Sequence, residues 1–134
     1  MPPMRKGRLV LIALLAACSS GVTGITTVTG NWTLRTVNDS SLPYTLPGSG
    51  ATKTEVLDDV ITLFEGFTYS ETSHKRVTVN GQQSTETTID TGVYSLFGTS
   101  ITLTPNSGAL ARRGLIEGNT MTIVENGLVQ DYKK

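Results

Sequence analysis

The chain has 134 residues, in which 11 Lys and Arg balance 11 Asp and Glu, and it contains one Cys and one His. This length suits a single domain, and a neutral chain without a basic stripe disfavours nucleic acid as a partner. A lone Cys and a lone His cannot supply the ligand set of a zinc site, so neither a metal nor a cofactor is predicted.

The N-terminal segment has the features of a removable leader. Arg5, Lys6 and Arg8 precede an unbroken apolar run from Leu9 to Ala17, and small residues follow it. The run is too short to span a bilayer as a helix, which needs roughly 20 apolar residues. A basic start followed by a short apolar run is typical of a signal peptide, which we predict over residues 1–17.

The end of this leader, Leu15-Ala16-Ala17-Cys18, resembles the lipobox of bacterial lipoproteins. The resemblance implies that Cys18 is acylated and becomes the first residue of the mature chain, anchoring it to a membrane of the cell envelope. Ser19 follows in place of Asp, which implies the outer membrane, on its periplasmic or surface face, if the organism has two membranes. The alternative is an ordinary secretory signal with a cysteine nearby. Cys18 is the only cysteine, so an internal disulfide is excluded.

The mature chain begins with a spacer and continues into a domain rich in strand patterns. Residues 18–29 are small, polar and rich in Gly and Thr, which predicts a flexible tether. The domain is predicted over residues 30–134. It opens with Gly30-Asn31-Trp32-Thr33-Leu34, which holds the only Trp and starts the first strand-like alternation. Trp32, Leu34 and Thr36 are predicted on one face of that strand.

The middle of the domain alternates strand patterns with turn signals. Two prolines in residues 42–47 exclude a central strand and predict a lid or crossing loop. Asp58-Asp59 separates two strand-like runs, which form either one bent strand or two. The carboxylate pair could bind a cation but is interpreted as a turn, because neighbours on a strand point to opposite faces. Asn80-Gly81 predicts a type I′ hairpin whose polar return strand extends beyond the core. Gly92 predicts a bulge or bend.

The complete pattern predicts an all-β fold. About eight to ten short strands follow one another, and no segment shows a sustained helical period. The sequence therefore predicts a small antiparallel up-and-down barrel, with a β-sandwich as the alternative. Closure of the barrel would pair the first strand with the last, and would bring Trp32 near Tyr132.

Several of these features together resemble bacterial lipocalin-like lipoproteins. They are the lipobox, the Gly30-Asn31-Trp32 element in the first strand, the Leu42-Pro43-Tyr44 loop and the closing segment 129–133. The resemblance implies a lipocalin-like barrel in which the Trp packs across the closed end. The arginine that the family places near its last strand has no match here, and Lys133 is the candidate substitute.

The barrel interior is the remaining candidate site. The sequence contains neither a serine-hydrolase elbow nor a Gly-rich phosphate loop before a helix, so no enzyme activity is predicted. A barrel of about eight strands either fills with side chains or holds one small ligand. Alternation predicts an inward set that also contains Ile61, Leu63, Ile101 and Ile123. The predicted ligand-binding candidates within it are Trp32, Leu34, Tyr69, Tyr94, Leu103, Met121 and Tyr132.

Two functions remain open at this point. The first is a membrane-anchored lipoprotein whose barrel binds a small hydrophobic ligand, with tyrosine hydroxyls as its polar contacts. The second is a structural or protein-interaction domain of the envelope, with a filled barrel and no ligand, acting through residues 42–50 or the 74–83 hairpin. The sequence names no protein partner.

Overall fold

The computed structural model describes residues 27–48 and 50–134. The predicted signal peptide, Cys18 and most of the predicted tether lie outside the described residues. Within the described part, the regular secondary structure is entirely β-strand. No helix there is long and apolar enough to cross a membrane.

Ten strands form one antiparallel sheet. They are β1 (Gly30–Val37), β2 (Ser40–Ser41), β3 (Tyr44–Thr45), β4 (Thr52–Leu63), β5 (Thr68–Val79), β6 (Gln82–Phe97), β7 (Ser100–Pro105), β8 (Arg112–Glu117), β9 (Thr120–Glu125) and β10 (Leu128–Lys133). Consecutive strands pair from β3 to β10, and β1 pairs with both β10 and β4. The eight long strands therefore close into an up-and-down barrel, as predicted, while β2 and β3 lie in the loop that crosses from β1 to β4.

The barrel interior holds the core. Every hydrophobic side chain that alternation placed inside is buried, and Val37 and Val56 join them. Val37 faces inward because the pairing of β1 with β10 shifts between Leu34 and Thr36. Thr36, which strict alternation placed beside Trp32 and Leu34, is only half-buried. The closed sheet and the buried core both lie within residues 27–134.

Of the two arrangements left open for this part of the chain, the single bent strand is confirmed, and the interpretation of Asp58-Asp59 as a turn is wrong. Both residues lie inside β4, which runs without interruption alongside β5. The register of this pair shifts between Val56 and Asp58, so the strand bends but does not end. Asp58 faces outward, opposite His74, and Asp59 faces the interior. The two carboxylates therefore lie on opposite faces of one strand.

Of the bulge or bend predicted at Gly92, the bulge is wrong. The pairing of β6 with β5 and with β7 continues through Gly92 without a shift in register. A Cβ atom at this position would lie 2.1 Å from the backbone oxygen of Thr104 and 2.7 Å from a ring carbon of Tyr69. Glycine is required here because a Cβ atom would clash with the Thr104 backbone and with the Tyr69 ring.

The two ends of the barrel differ. We call the end with the turns 64–67, 98–99 and 118–119 the closed end, and the end with the loops 38–51, 80–81, 106–111 and 126–127 the open end. Trp32 lies near the closed end, fully buried, and its Nε1 donates a hydrogen bond to the backbone oxygen of Val28 at 2.8 Å.

The cation beside Trp32 is Lys134. Its Nζ lies 5.8 Å from the centroid of the Trp32 ring and also bonds the backbone oxygen of Thr27. Lys133, the candidate from the sequence, instead donates from Nζ to Oγ1 of Thr120 at 2.5 Å. Residues 27–29 and Lys134 therefore meet at the closed end.

Candidate functional site

The interior changes character along the barrel axis. The half nearer the closed end is packed with aliphatic and aromatic side chains, whereas a cavity of about 500 Å³ occupies the half nearer the open end. Apolar and polar side chains both line it. The apolar wall contains Leu34, Val37, Val56 and Leu128, and the polar residues include Asp59, Glu71, Asp90, Arg112 and Gln130. We call these five polar residues the polar floor.

Strand alternation places the polar floor directly above the packed core. On β4 the inward series runs from Leu63 and Ile61 to Asp59, and on β5 it runs from Tyr69 to Glu71. Each next inward residue lies two positions along its strand and therefore one layer closer to the open end. The change from apolar to acidic side chains at this layer separates the core from the cavity.

A buried ion pair crosses the polar floor. Arg112 donates from Nη1 to Oε1 of Glu71 at 2.9 Å, and its Nη2 donates to Oε2 of the same carboxylate. Both side chains are only 10% exposed, and Nη1 also lies 3.7 Å from Oε2 of Glu125. Burial acts to lower the pKa of Arg112, but the hydrogen bonds and charge of Glu71 outweigh it and raise that pKa. The forked geometry fixes both groups and uses both oxygens of Glu71.

Asp59 is the floor residue with unused hydrogen-bonding capacity. It is 8% exposed, and its Oδ1 has no hydrogen-bond partner among the described residues. Burial, followed by the charge of Glu71 and a hydrogen bond with it, raises the pKa of Asp59 to about 8. The side chain is therefore mostly protonated at neutral pH, because ionisation would put a second carboxylate beside Glu71.

The tyrosine hydroxyls proposed as ligand contacts already have partners in the protein. Tyr69 donates to Oδ2 of Asp90 at 2.9 Å, and Tyr132 donates to Oε1 of Gln130 at 3.0 Å. Burial and the bond to Asp90 raise the pKa of Tyr69 to about 12, and burial also raises the pKa of Tyr132. Tyr94 donates to the backbone oxygen of Phe64 at the closed end. Tyr69 and Tyr132 thus support the polar floor from below.

The predicted ligand-binding residues fall into two groups. Leu34 lines the cavity. The others lie in the packed half, where each is buried and none lines the cavity: Trp32, Tyr69, Tyr94, Leu103, Met121 and Tyr132. Cys18 lies outside the described residues. Sequence reasoning missed Asp59, Glu71 and Arg112 as interior residues, although continuing the alternation from Ile61 and Tyr69 would have identified the first two.

The polar floor supplies hydrogen bonds and charge. In the described part of the chain, no group of three or more His, Cys, Asp and Glu residues has the geometry to hold a metal ion. His74 lies on the outer surface, with Nδ1 2.6 Å from Oδ1 of Asp58. The cavity therefore combines one mostly protonated carboxyl, one buried ion pair and an apolar wall.

A scan against protein-family models and a search of curated proteins both give no match for this chain. The class of the protein is therefore assigned from its fold. The chain forms a closed, eight-stranded antiparallel barrel of a kind compatible with the lipocalin-like fold, with its cavity at the open end.

Proposed function

We propose that this protein is a lipid-anchored bacterial lipoprotein whose barrel binds a small amphipathic molecule. The observation that supports it best is the cavity of about 500 Å³ above a closed core, with Oδ1 of Asp59, which has no hydrogen-bond partner among the described residues, at its base. Small-molecule pockets are typically about 300 to 1,000 Å³ and combine apolar walls with a few placed polar groups. The role proposed is binding and not catalysis.

The anchoring part of the proposal rests on the sequence. The Leu15-Ala16-Ala17-Cys18 segment supplies an acylation site directly after the leader. A single acyl chain gives only marginal attachment, so stable anchoring requires the two or more chains that such lipoproteins carry. The expected localisation is the cell envelope, and acylation of Cys18 is tested by the intact mass of the mature protein.

The charges around the cavity indicate the chemistry of the ligand head group. Four acids line the cavity, Asp59, Glu71, Asp90 and Glu125, against two bases, Lys75 and Arg112. Arg112 already holds Glu71, whereas Oδ1 of Asp59 is buried and has no hydrogen-bond partner among the described residues. A ligand with an ammonium group would meet this acceptor, while its apolar body would contact Leu34 and Val37. We therefore expect an amphipathic amine in place of a purely hydrophobic molecule.

Three probes of equal chain length test this ligand class. Decylamine, decanol and decanoate are titrated into residues 27–134 by isothermal calorimetry, at about pH 6 and about pH 8. Decylamine is expected to bind most tightly and decanoate most weakly, by at least about tenfold, because the acids outnumber the bases. The affinity for decylamine should rise by up to about tenfold for each pH unit and level off near pH 8, because binding an ammonium requires Asp59 to lose its proton.

Asp59→Asn and Asp58→Asn form a matched pair for this experiment. They are neighbouring carboxylates of β4, but Asp59 faces the cavity and Asp58 faces solvent. Asp59→Asn should weaken the preference for decylamine and abolish its pH dependence, and Asp58→Asn should preserve both. If no probe binds the wild-type domain, the ligand proposal is wrong. The alternative of an interaction domain without a ligand would then be preferred.

A further inference from the structure

All three phenylalanines of the chain lie at the closed end, outside the core. Phe64 and Phe67 flank the turn between β4 and β5, and Phe97 is the last residue of β6. They are 47%, 57% and 89% exposed, respectively. Large apolar side chains grouped on a surface mark a contact with a partner or a membrane. The barrel buries its Trp and most of its aliphatic inward positions, so the exposure of every Phe at one end requires an explanation.

The turn that carries two of these residues is held by backbone hydrogen bonds and a ring contact. Phe67 has a φ of +64°, a left-handed conformation that is a genuine outlier for a bulky residue. Its backbone oxygen accepts from Tyr94 N at 2.8 Å, and Phe64 N donates to Thr68 O at 2.9 Å. The Phe67 ring also packs against Tyr94, with centroids 5.5 Å apart. A strained backbone held by its surroundings is a common feature of functional positions.

The chain enters the barrel at this same end. Residues 27–29 lie beside Trp32 and Lys134, and β1 starts next to the end of β4. Cys18 precedes Thr27 by nine residues, so the two are separated by no more than about 30 Å even if the chain is fully extended. A lipid on Cys18 would therefore keep the closed end within reach of the bilayer surface.

We propose that the closed end docks onto the membrane, with Phe64, Phe67 and Phe97 inserted at the boundary between head groups and acyl chains. A bilayer is the expected partner of this surface because Cys18 is proposed to be acylated, so the docking rests on the proposed function. The cavity then opens on the side away from the membrane, so the barrel exchanges its ligand with the aqueous compartment. Lys133 and Lys134 lie at the same end, but Glu65 and Glu117 lie there too, so the contact is expected to depend on the aromatic side chains and not on net charge.

The contact is measured on residues 27–134, which lack the anchor, with sucrose-loaded vesicles of phosphatidylethanolamine and phosphatidylglycerol. Phe97→Ser should lower the partition coefficient by about tenfold, because it removes one inserted aromatic side chain. Leu110→Ser is the control, since Leu110 is 90% exposed but lies in the β7–β8 loop at the open end. Equal partition of both variants, or a vesicle-independent dimer that Phe97→Ser dissociates, overturns the proposal.

Orientation is measured on the lipidated protein. Phe97→Trp and Leu110→Trp each place a reporter at one end, while Trp32 is fully buried and contributes a constant background. Brominated lipids should quench the reporter at position 97 and leave the one at position 110 unchanged. Quenching of both to the same extent overturns the docking, whatever the state of Cys18. If Cys18 is not acylated but vesicle partition still depends on Phe97, the proposed anchor is refuted and the docking is supported.

Discussion

At the scale of single residues, Asp59 is the group whose chemistry the fold changes most. A carboxyl on an exposed strand would ionise near pH 4, but burial beside Glu71 raises the pKa of Asp59 to about 8. Between these two values the folded protein retains a proton that the unfolded chain releases. Stability conferred by the protonated form is therefore complete below about pH 4 and is lost as the pH rises toward 8.

Asp59→Asn should remove this pH dependence. The free energy of unfolding of the wild type, measured in urea, should fall by about 2 to 5 kcal/mol between about pH 4 and about pH 9, relative to the variant, since each unit of pKa shift corresponds to about 1.4 kcal/mol. Asp58→Asn, on the exposed face, should follow the wild-type slope. Parallel curves for the wild type and Asp59→Asn would show that Asp59 ionises normally in the folded protein.

At the scale of elements, Gly92 is the position where β6 comes into close contact with both β5 and β7. β6 enters the barrel at this position, where it first pairs with β7 while continuing to pair with β5. Before it, residues 82–91 pair with β5 alone and are mostly exposed and polar. Such residues suit a free edge, because polar side chains oppose pairing with another chain.

Gly92→Ala should destabilise the barrel by about 1 to 3 kcal/mol, the usual cost of overpacking. The added Cβ would lie 2.1 Å from Thr104 O, and both strands and the Tyr69 ring would have to move. Gly48→Ala is the matched control, because the nearest atom to its Cβ would be 4.0 Å away. The midpoint of urea unfolding measures both variants, and an unchanged midpoint for Gly92→Ala would contradict the close approach.

Much of the element structure followed from local sequence. Alternation identified most of the inward residues, and Asn80-Gly81 forms the predicted hairpin with both residues at positive φ. The errors occurred where cross-strand register decides the outcome. Considered alone, two adjacent carboxylates predict a turn, but the pairing of β4 with β5 continues through Asp58 and Asp59. The Glu71–Arg112 pair joins strands distant in sequence, and no local pattern reveals it.

At the scale of the whole molecule, Trp32 links the parts that close the barrel. Its strand pairs with β4 on one side and β10 on the other, through Trp32 to Ile61 and through Leu34 to Tyr132. Its indole also bonds to Val28 and lies beneath Lys134. A side chain that contacts both ends of the described chain contributes to closure as well as to core volume.

Trp32→Ala should therefore cost about 3 to 5 kcal/mol of stability, as for other buried large aromatics. Trp32→Phe keeps most of the volume but leaves the Val28 carbonyl without its donor, so its loss should be intermediate, with about 1 kcal/mol from the hydrogen bond. Lys134→Ala should cost about 0.5 to 1 kcal/mol, because the cation lies near the surface. Urea unfolding measures the series. If Trp32→Ala unfolds at the wild-type midpoint, closure depends on the strand pairing alone, and the barrel does not require its aromatic plug.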